Sequence, residues 1–433
     1  MQFTVNTTTG LERRIEVEIP EAQVAGEVER RLRDLSRTAK IRGFRPGKVP
    51  LPVIRQQFGS QVHGDAVSEL IRQGYSDAVK QQNLRPAGSP NIEPLQIGPG
   101  ADLRFAAVIE VMPDVVVNSV AEVEITRPVA EITAADVDAM LESMRRQRVT
   151  YAPVERAARQ DDRVTVDFAG RTGGVAFEGG TGTDMAVVIG AGQVIPDFER
   201  ALVGMGKGDS RTAPVKFPDD YGAAALAGKD AEFDLTVKSV EEPVLPPLDA
   251  AFAQSFGVGD GSLETMRAEV RRSMERQAVD AVRGSLRTQV FEALQRDNEL
   301  QLPRALVEEQ VQQLQVDLLQ RMGRSDLSRL PPREPFLEPA QRRVKLGLLI
   351  GELVRRENLG VDRGRVMARL DEAAAGYPNP EEVRRAWLQN ADVMRQIETS
   401  VMEDLAVEWV LAHARVKEQP VSFRELTGFG RQA

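Results

Sequence analysis

The residues best suited to do chemistry lie in one short stretch, Gly43-Phe44-Arg45-Pro46-Gly47-Lys48-Val49-Pro50. Pro46-Gly47 is a strong turn pair, because proline pre-sets φ at one turn position and glycine accepts the positive φ that follows. Gly43 frees the entry and Pro50 stiffens the exit, so the segment reads as a tight, exposed loop. Phe44 stands between Arg42 and Arg45 in a segment too short and polar to bury it. Just upstream come Arg30, Arg31, Arg33, Arg37 and Lys40, opposed in this reading only by Asp34. Cations interleaved with a ring, on a chain that is otherwise acidic, suit a phosphate backbone with stacking or cation–π contacts added. Charge and turn chemistry alone fit equally well a solvated turn whose Phe44 folds back on its own domain.

Other constellations carry less. The chain has no cysteine, which removes disulfides, thiolate catalysis and thiolate metal sites. His63 and His413 lie far apart, so no histidine metal centre is expected, and neither a metal nor a cofactor is. Gly204-Met205-Gly206-Lys207-Gly208-Asp209-Ser210 lacks the spacing of a phosphate loop and reads as a turn. Gly190-Ala191-Gly192 does not complete a dinucleotide fingerprint. Asp161-Asp162 and Asp219-Asp220 read as solvated loop ends, ahead of a metal site or an acid–base pair.

The elements that must hold these residues fall into a multidomain α+β chain. At 433 residues it exceeds one ordinary core. Its net charge of −9 confines any RNA contact to a local patch. No basic-then-apolar leader and no membrane-length apolar run is visible, so the expectation is a soluble cytoplasmic protein without a membrane partner. Residues 1–112 read as an α+β domain: Ile15, Val17 and Ile19 alternate with charges as a half-buried strand does, and helices follow from about Glu21 and around Val62 to Ile71. Residues 113–150 form a connector with a helix opened by Thr133 and Asp136, a variant capping box. Its stripe of Val137, Met140, Leu141 and Met144 has nothing local to bury it. From 151 to 245 short alternating strands and glycine turns describe a small antiparallel sheet around a helix beginning at Pro196. From 246 to 433 the pattern is helical, with a long helix from Leu263 to Val290, another from about Pro339 to Asn358, and few aromatics, which suggests helical arms. Six methionines fall in this region, Met266, Met274, Met322, Met367, Met394 and Met402. Flexible thioethers suit a re-packing surface, although at helical spacing a methionine is more often core.

Gly43 to Pro50 matches, letter for letter, the ribosome-docking signature of the trigger factor family, and the likeness continues through the chain. The resemblance implies an N-terminal α+β ribosome-docking domain, a connector, an antiparallel-sheet domain similar to FKBP-type prolyl isomerases, and an all-α domain with helical arms. It assigns docking to Arg42, Gly43, Phe44, Arg45, Pro46, Gly47 and Lys48. The partners would be ribosomal RNA and an exit-site protein of the large subunit at the exit tunnel. Nascent and unfolded polypeptides would be its clients, held without ATP, and a homodimer away from the ribosome is compatible with it.

For the sheet domain the resemblance rests on Val194-Ile195-Pro196-x-Phe198 and Phe217-Pro218-x-x-Tyr221-Gly222. It places the isomerase pocket at Phe168, Phe177, Val194, Ile195, Phe198, Tyr221 and Phe233. Ile195 would offer its backbone N–H to the substrate carbonyl and Tyr221 its hydroxyl. Glu178 stands where the family usually has an acid, and Met185 where it often has another ring, a departure that bears on the rate. Pattern alone makes these aromatics the core of a small sheet domain; their family order makes them a working pocket. The leading expectation is a ribosome-docked chaperone with a prolyl isomerase module. The alternatives are a free FKBP-type foldase and a sequence-tolerant RNA-binding protein.

Overall fold

The computed structural model describes residues 2–39, 44, 49–219, 221–223, 225–324, 326 and 330–430. The chain forms two compact units interleaved in sequence, Met1–Arg127 with Arg283–Gln419, and Pro128–Val282 with Pro420–Ala433.

The first unit begins with strands β1 (Gln2–Thr7) and β2 (Glu12–Ile19), helices α1 (Glu21–Thr38) and α2 (Leu51–Gln81), and strands β3 (Asn91–Gln96) and β4 (Leu103–Glu110). The strands form one antiparallel sheet in the order β1-β2-β4-β3. Alternation turns Ile15, Val17 and Ile19 inward, and they pack with Leu103, Phe105 and Ile109 under Val67, Leu70 and Ala78 of α2. Gly74 lets the helix lie close: a Cβ there would stand 3.2 Å from Val17. Leu32 of α1 meets Ile54 and Val62 of α2, and Val49 is buried beside them.

Strand β5 (Glu124–Val129) follows, and then the second unit. Helix α3 (Ala134–Gln147) starts with the expected capping box, in which Asp136 N–H donates to Thr133 Oγ1 at 3.2 Å and Thr133 N–H to Asp136 Oδ2 at 2.9 Å. Next come β6 (Thr150–Pro153), β7 (Arg163–Thr172), β8 (Val175–Val188), α4 (Pro196–Leu202), β9 (Ser210–Lys216) and β10 (Asp230–Val244). The sheet runs β6-β10-β7-β8, with β9 also paired to β10, and all pairings are antiparallel. Helix α5 (Ala250–Ser255) and the first part of α6 (Leu263–Asp297) cover the α3 stripe: Val137 and Leu141 pack with Phe252, Met266, Met274 and Phe423. Met266 and Met274 are therefore core, while Met322 is exposed.

The remaining helices are α7 (Arg304–Arg321), α8 (Glu334–Arg356), α9 (Arg363–Ala374), α10 (Pro380–Leu388) and α11 (Ala391–His413), followed by β11 (Arg415–Pro420) and α12 (Phe423–Thr427). Helix α8 starts a turn before its expected start, with Pro339 inside it. Proline lacks the N–H that would reach back to residue 335, so this costs one intrahelical bond and leaves the helix to be held by Phe336, Leu337 and Ala340 against Val307 and Val311. The α7 start has no local cap; Glu110 of β4 accepts the Ala305 N–H at 2.9 Å instead. Strands β5 and β11, both absent from the sequence reading, pair with each other. Arg415–Glu122 and Lys417–Glu124 ion pairs at 2.6 and 2.7 Å flank the pairing. The Lys417 hydrogen bond holds the Glu124 carboxyl below its ordinary range. Among the described residues no helix is long and apolar enough to cross a membrane.

Candidate aromatic site and docking loop

Alternation along three strands aims one set of side chains at α4. On β7 it brings Val164, Val166 and then Phe168 to one face, and on β10 Phe233, Leu235 and Val237. On β9 the set is Ala213 and Val215, continued past the strand by Phe217, which is 2% exposed. Phe233 is the hub. Its ring meets Phe198 at 5.5 Å and Phe177 at 6.1 Å edge to face, and Phe168 and Phe217 at 6.0 and 6.4 Å in tilted contacts. Phe168 also meets Phe198 edge-on at 5.7 Å, and Phe217 stacks obliquely on Tyr221 at 4.7 Å.

Three glycines form the floor under these rings. A Cβ on Gly170, the cross-strand partner of Phe233, would stand 2.7 Å from that ring; one on Gly182 would stand 2.5 Å from Phe168; one on Gly180 would stand 3.0 Å from Phe177. Gly182 lies opposite Phe168 because the β7–β8 register shifts between Val166 and Phe168. Asp167 secures that irregularity. Its carboxylate accepts the Asp184 N–H at 2.8 Å and pairs with Lys238 at 3.0 Å, and these two partners hold its pKa below the ordinary value.

Of the expected pocket residues, Phe168, Phe177, Met185, Val194 and Ile195 pack, half-buried, against a core that contains Phe198 and Phe233. Tyr221 joins through Phe217 and is 39% exposed. Glu178 stands apart: it is exposed, and its side chain makes no hydrogen bond or ion pair among the described residues. Ile195 caps α4, its carbonyl accepting from Phe198 N–H and Glu199 N–H at 2.9 and 3.2 Å. Its own N–H has no partner among the described residues. The site thus offers apolar and aromatic surface, one backbone donor and one phenol, with no paired acid and base.

Sequence reasoning missed three kinds of contributor. Phe217 belongs to the Phe217-Pro218-x-x-Tyr221-Gly222 motif but not to the expected pocket, although the alternation Ala213, Val215, Phe217 points to it. The glycine floor carries no signal short of knowing the strand register. Glu199, 8% exposed, accepts Gly190 N–H at 2.9 Å and Gly192 N–H at 3.0 Å. The spacing Ile195, Phe198, Glu199, Leu202 is that of one inward helical stripe and could have found it. The adjacent acids need a correction. Asp162 is not a solvated loop end; it is 1% exposed, gripped by Arg156 at 2.5 and 3.0 Å, and accepts Arg159 N–H at 2.8 Å. Burial alone would raise its pKa, but Arg156 and the Arg159 N–H outweigh that and hold it below the ordinary value.

At the N-terminal loop, Phe44 is exposed at 39%. Arg42, Gly43, Arg45, Pro46, Gly47 and Lys48 lie outside the described residues. The basic cluster upstream is more neutralised than expected. Glu27 accepts from both Arg30 and Arg31, whose hydrogen bonds lower its pKa to about 2, and Glu29 pairs with Arg33 and Arg55 at 3.5 and 2.5 Å. These acids lie one turn before the arginines on α1, the spacing at which helical ion pairs form.

Comparison with known proteins covers almost the whole chain. The family model described as bacterial trigger factor protein matches residues 1–144, and that of its C-terminus matches residues 262–412. The FKBP-type peptidyl-prolyl cis-trans isomerase model matches residues 154–238. Trigger factor of Thioalkalivibrio sulfidiphilus is 42% identical over 98% of both chains, and that of Halorhodospira halophila 43% identical over 98% of both. The chain belongs to the trigger factor family. A further family member, from Alkalilimnicola ehrlichii, is 42% identical over 98% of this chain and 95% of its own. A solved structure described as "Promiscuous Substrate Recognition in Folding and Assembly Activities of the Trigger Factor Chaperone" aligns over 95% of this chain and 99% of its own, at TM-score 0.49 and 19% identity. As a trigger factor family member the chain is a multidomain α+β protein of a chaperone family, with an FKBP-type domain and a helical C-terminal region.

Proposed function

We propose that this chain is a ribosome-associated, ATP-independent chaperone for nascent polypeptides that also isomerises X–Pro bonds. The arrangement that supports the isomerase part is the unpartnered Ile195 N–H beside the rings around Phe233. Rotation about an X–Pro bond faces a barrier of ~18–20 kcal/mol from amide resonance. An aromatic surface that excludes water favours the twisted, less polar amide over the planar one, and so binds the transition state better than the ground state. The Ile195 N–H would hold the substrate carbonyl and the Tyr221 hydroxyl would lie at the rim, with Phe168, Phe177, Met185, Val194 and Phe198 around the proline ring. Glu178, exposed at the edge, would touch only the flanks of a bound peptide. No nucleophile is needed. In this reading residues 1–112 dock, 113–150 connect, 151–245 isomerise and 246–433 shield clients.

Docking is supported by the motif Gly43 to Pro50 and by the exposure of Phe44. With Arg30, Arg31 and Arg33 already paired to acids, the docking reading places the contacts to ribosomal RNA chiefly on Arg42, Arg45 and Lys48 of the motif, with the exposed Arg37 beside them. Two experiments test the proposal. Phe44→Ala with Arg45→Ala and Lys48→Ala should abolish co-sedimentation with ribosomes, and unchanged pelleting would leave a free foldase. Phe198→Ala and Tyr221→Ala should each slow catalysis of a proline-limited refolding reaction, and unchanged rate constants would reduce the sheet domain to a binding platform.

A further inference from the structure

We infer that Glu199 is a positioning residue for the isomerase site, the group that holds the segment Gly190–Ile195 so that Val194 and the Ile195 N–H face the substrate. The inference rests on the isomerase reading above. Three observations carry it. Glu199 is a carboxylate, 8% exposed, that makes no ion pair among the described residues. Burying such a charge is costly unless hydrogen bonds compensate, and the bonds it accepts, from Gly190 and Gly192, both come from this segment. Among the described residues no other side chain hydrogen-bonds to residues 190–195.

The geometry explains why a carboxylate is needed. Gly190 and Gly192 have φ of +90° and +68°, the left-handed region, where a side chain is disfavoured. The segment turns through them and aims both N–H groups at one point. The two donors reach separate oxygens, Oε2 and Oε1, which a carboxylate offers and an amide, with one oxygen and one NH2, does not. Among the described residues the other hydrogen bonds of the segment lie at its ends, where Ala191 N–H donates to Val188 O at 3.2 Å and Ile195 O receives the first N–H groups of α4; Val194 and Ile195 also pack on the core, and the Gln160 side chain lies against Gly190. Glu199 sits on α4 one residue after Phe198, so the helix that supplies a wall of the ring cluster also fixes the loop that supplies the donor. An apolar side chain at this inward position would pack the core and leave the loop free.

The test uses the full chain carrying Glu199→Gln, which keeps size and one acceptor but sets an amide donor against one of the two N–H groups. Catalysis of proline-limited refolding is measured over a range of substrate concentration, together with amide hydrogen exchange at Gly190 and Gly192. A charge-assisted hydrogen bond is about twice as strong as a neutral one, so exchange there should accelerate about tenfold or more. The kcat/KM should fall by about the same factor, chiefly through KM, because the folded molecules bind substrate with an unfixed donor. A merely structural role would lower kcat in proportion to the folded fraction and leave KM in place; that result overturns the inference, as does unchanged exchange. Glu199→Asp, one methylene shorter but still charged, should recover part of the activity if the carboxylate acts through these bonds; no recovery beyond Glu199→Gln overturns it. If wild type itself fails to accelerate refolding, the isomerase reading is lost and this inference with it. An active wild type with an unaltered Glu199→Gln variant overturns the inference alone.

Discussion

Gly170→Ala should damage the ring cluster without touching a polar group or a reactive atom. Gly170 lies opposite Phe233 on the adjacent strand, and its φ is not in the left-handed region, so alanine meets no backbone strain. The added methyl would sit 2.7 and 2.9 Å from Phe233 Cε1 and Cζ and 3.0 Å from Phe177 Cζ. Carbon atoms prefer roughly 3.5–4.0 Å, so the Phe233 ring must retreat by about 1 Å. It has no free direction, because Phe168, Phe177, Phe198 and Phe217 surround it at 5.5 to 6.4 Å. Overpacking of this kind costs about 1–3 kcal/mol, offset by roughly 0.4–1 kcal/mol from the stiffer unfolded chain. With a urea slope of about 1–3 kcal/mol/M, the midpoint of the sheet domain followed by circular dichroism should fall by several tenths of a molar to about 1 M. Catalysis of proline-limited refolding should drop at temperatures where the variant is still folded. Gly206→Ala is the control, since its Cβ would meet nothing nearer than Asp209 Oδ2 at 3.6 Å; it should be neutral or slightly stabilising. Equal stability and activity for Gly170→Ala and wild type, or equal losses for both variants, would refute the claim that the glycine floor shapes this site.

Arg156→Leu strands the buried Asp162 carboxylate with only the Arg159 N–H, and urea unfolding should show a loss of about 3 kcal/mol, as for other broken buried pairs. Glu27 titrates near 2 when folded against an ordinary 4.5, so its contribution is complete above about pH 4.5 and lost as pH falls toward 2. The partly exposed arginines discount that contribution to about 1–2 kcal/mol. Urea midpoints of wild type and Glu27→Gln should therefore differ at pH 7 and converge by about pH 2, and parallel curves would contradict the pairing. Leu141→Ala, facing Phe252 and Met266, should cost about 2–5 kcal/mol by denaturant titration, whereas Thr133→Ala at the α3 cap should cost about 1 kcal/mol.

Local chemistry explains what the sequence alone determined. Period-2 alternation at Ile15, Val17 and Ile19 and at Val164 and Val166 marked buried strand faces, because a strand with one face on a core hides alternate side chains. Thr133 with Asp136 marked the start of α3, since capping is settled within four residues. Gly43 to Pro50 matches the family signature as letters alone, and Val194-Ile195-Pro196-x-Phe198 stands in family order at the start of α4. What only the tertiary structure decided depends on partners far along the chain. The polar strand β11 has no apolar alternation to announce it and exists because β5 offers it a ladder and opposite charges. The stripe on α3 is core because Phe252, Met266, Met274 and Phe423 arrive from beyond residue 250. Glu199 and Asp162 look like solvated acids until the fold places two loop N–H groups before one and an arginine before the other. Burial of a charge is decided by whether its hydrogen-bonding partners converge in space, and a linear pattern of residue types does not contain that convergence.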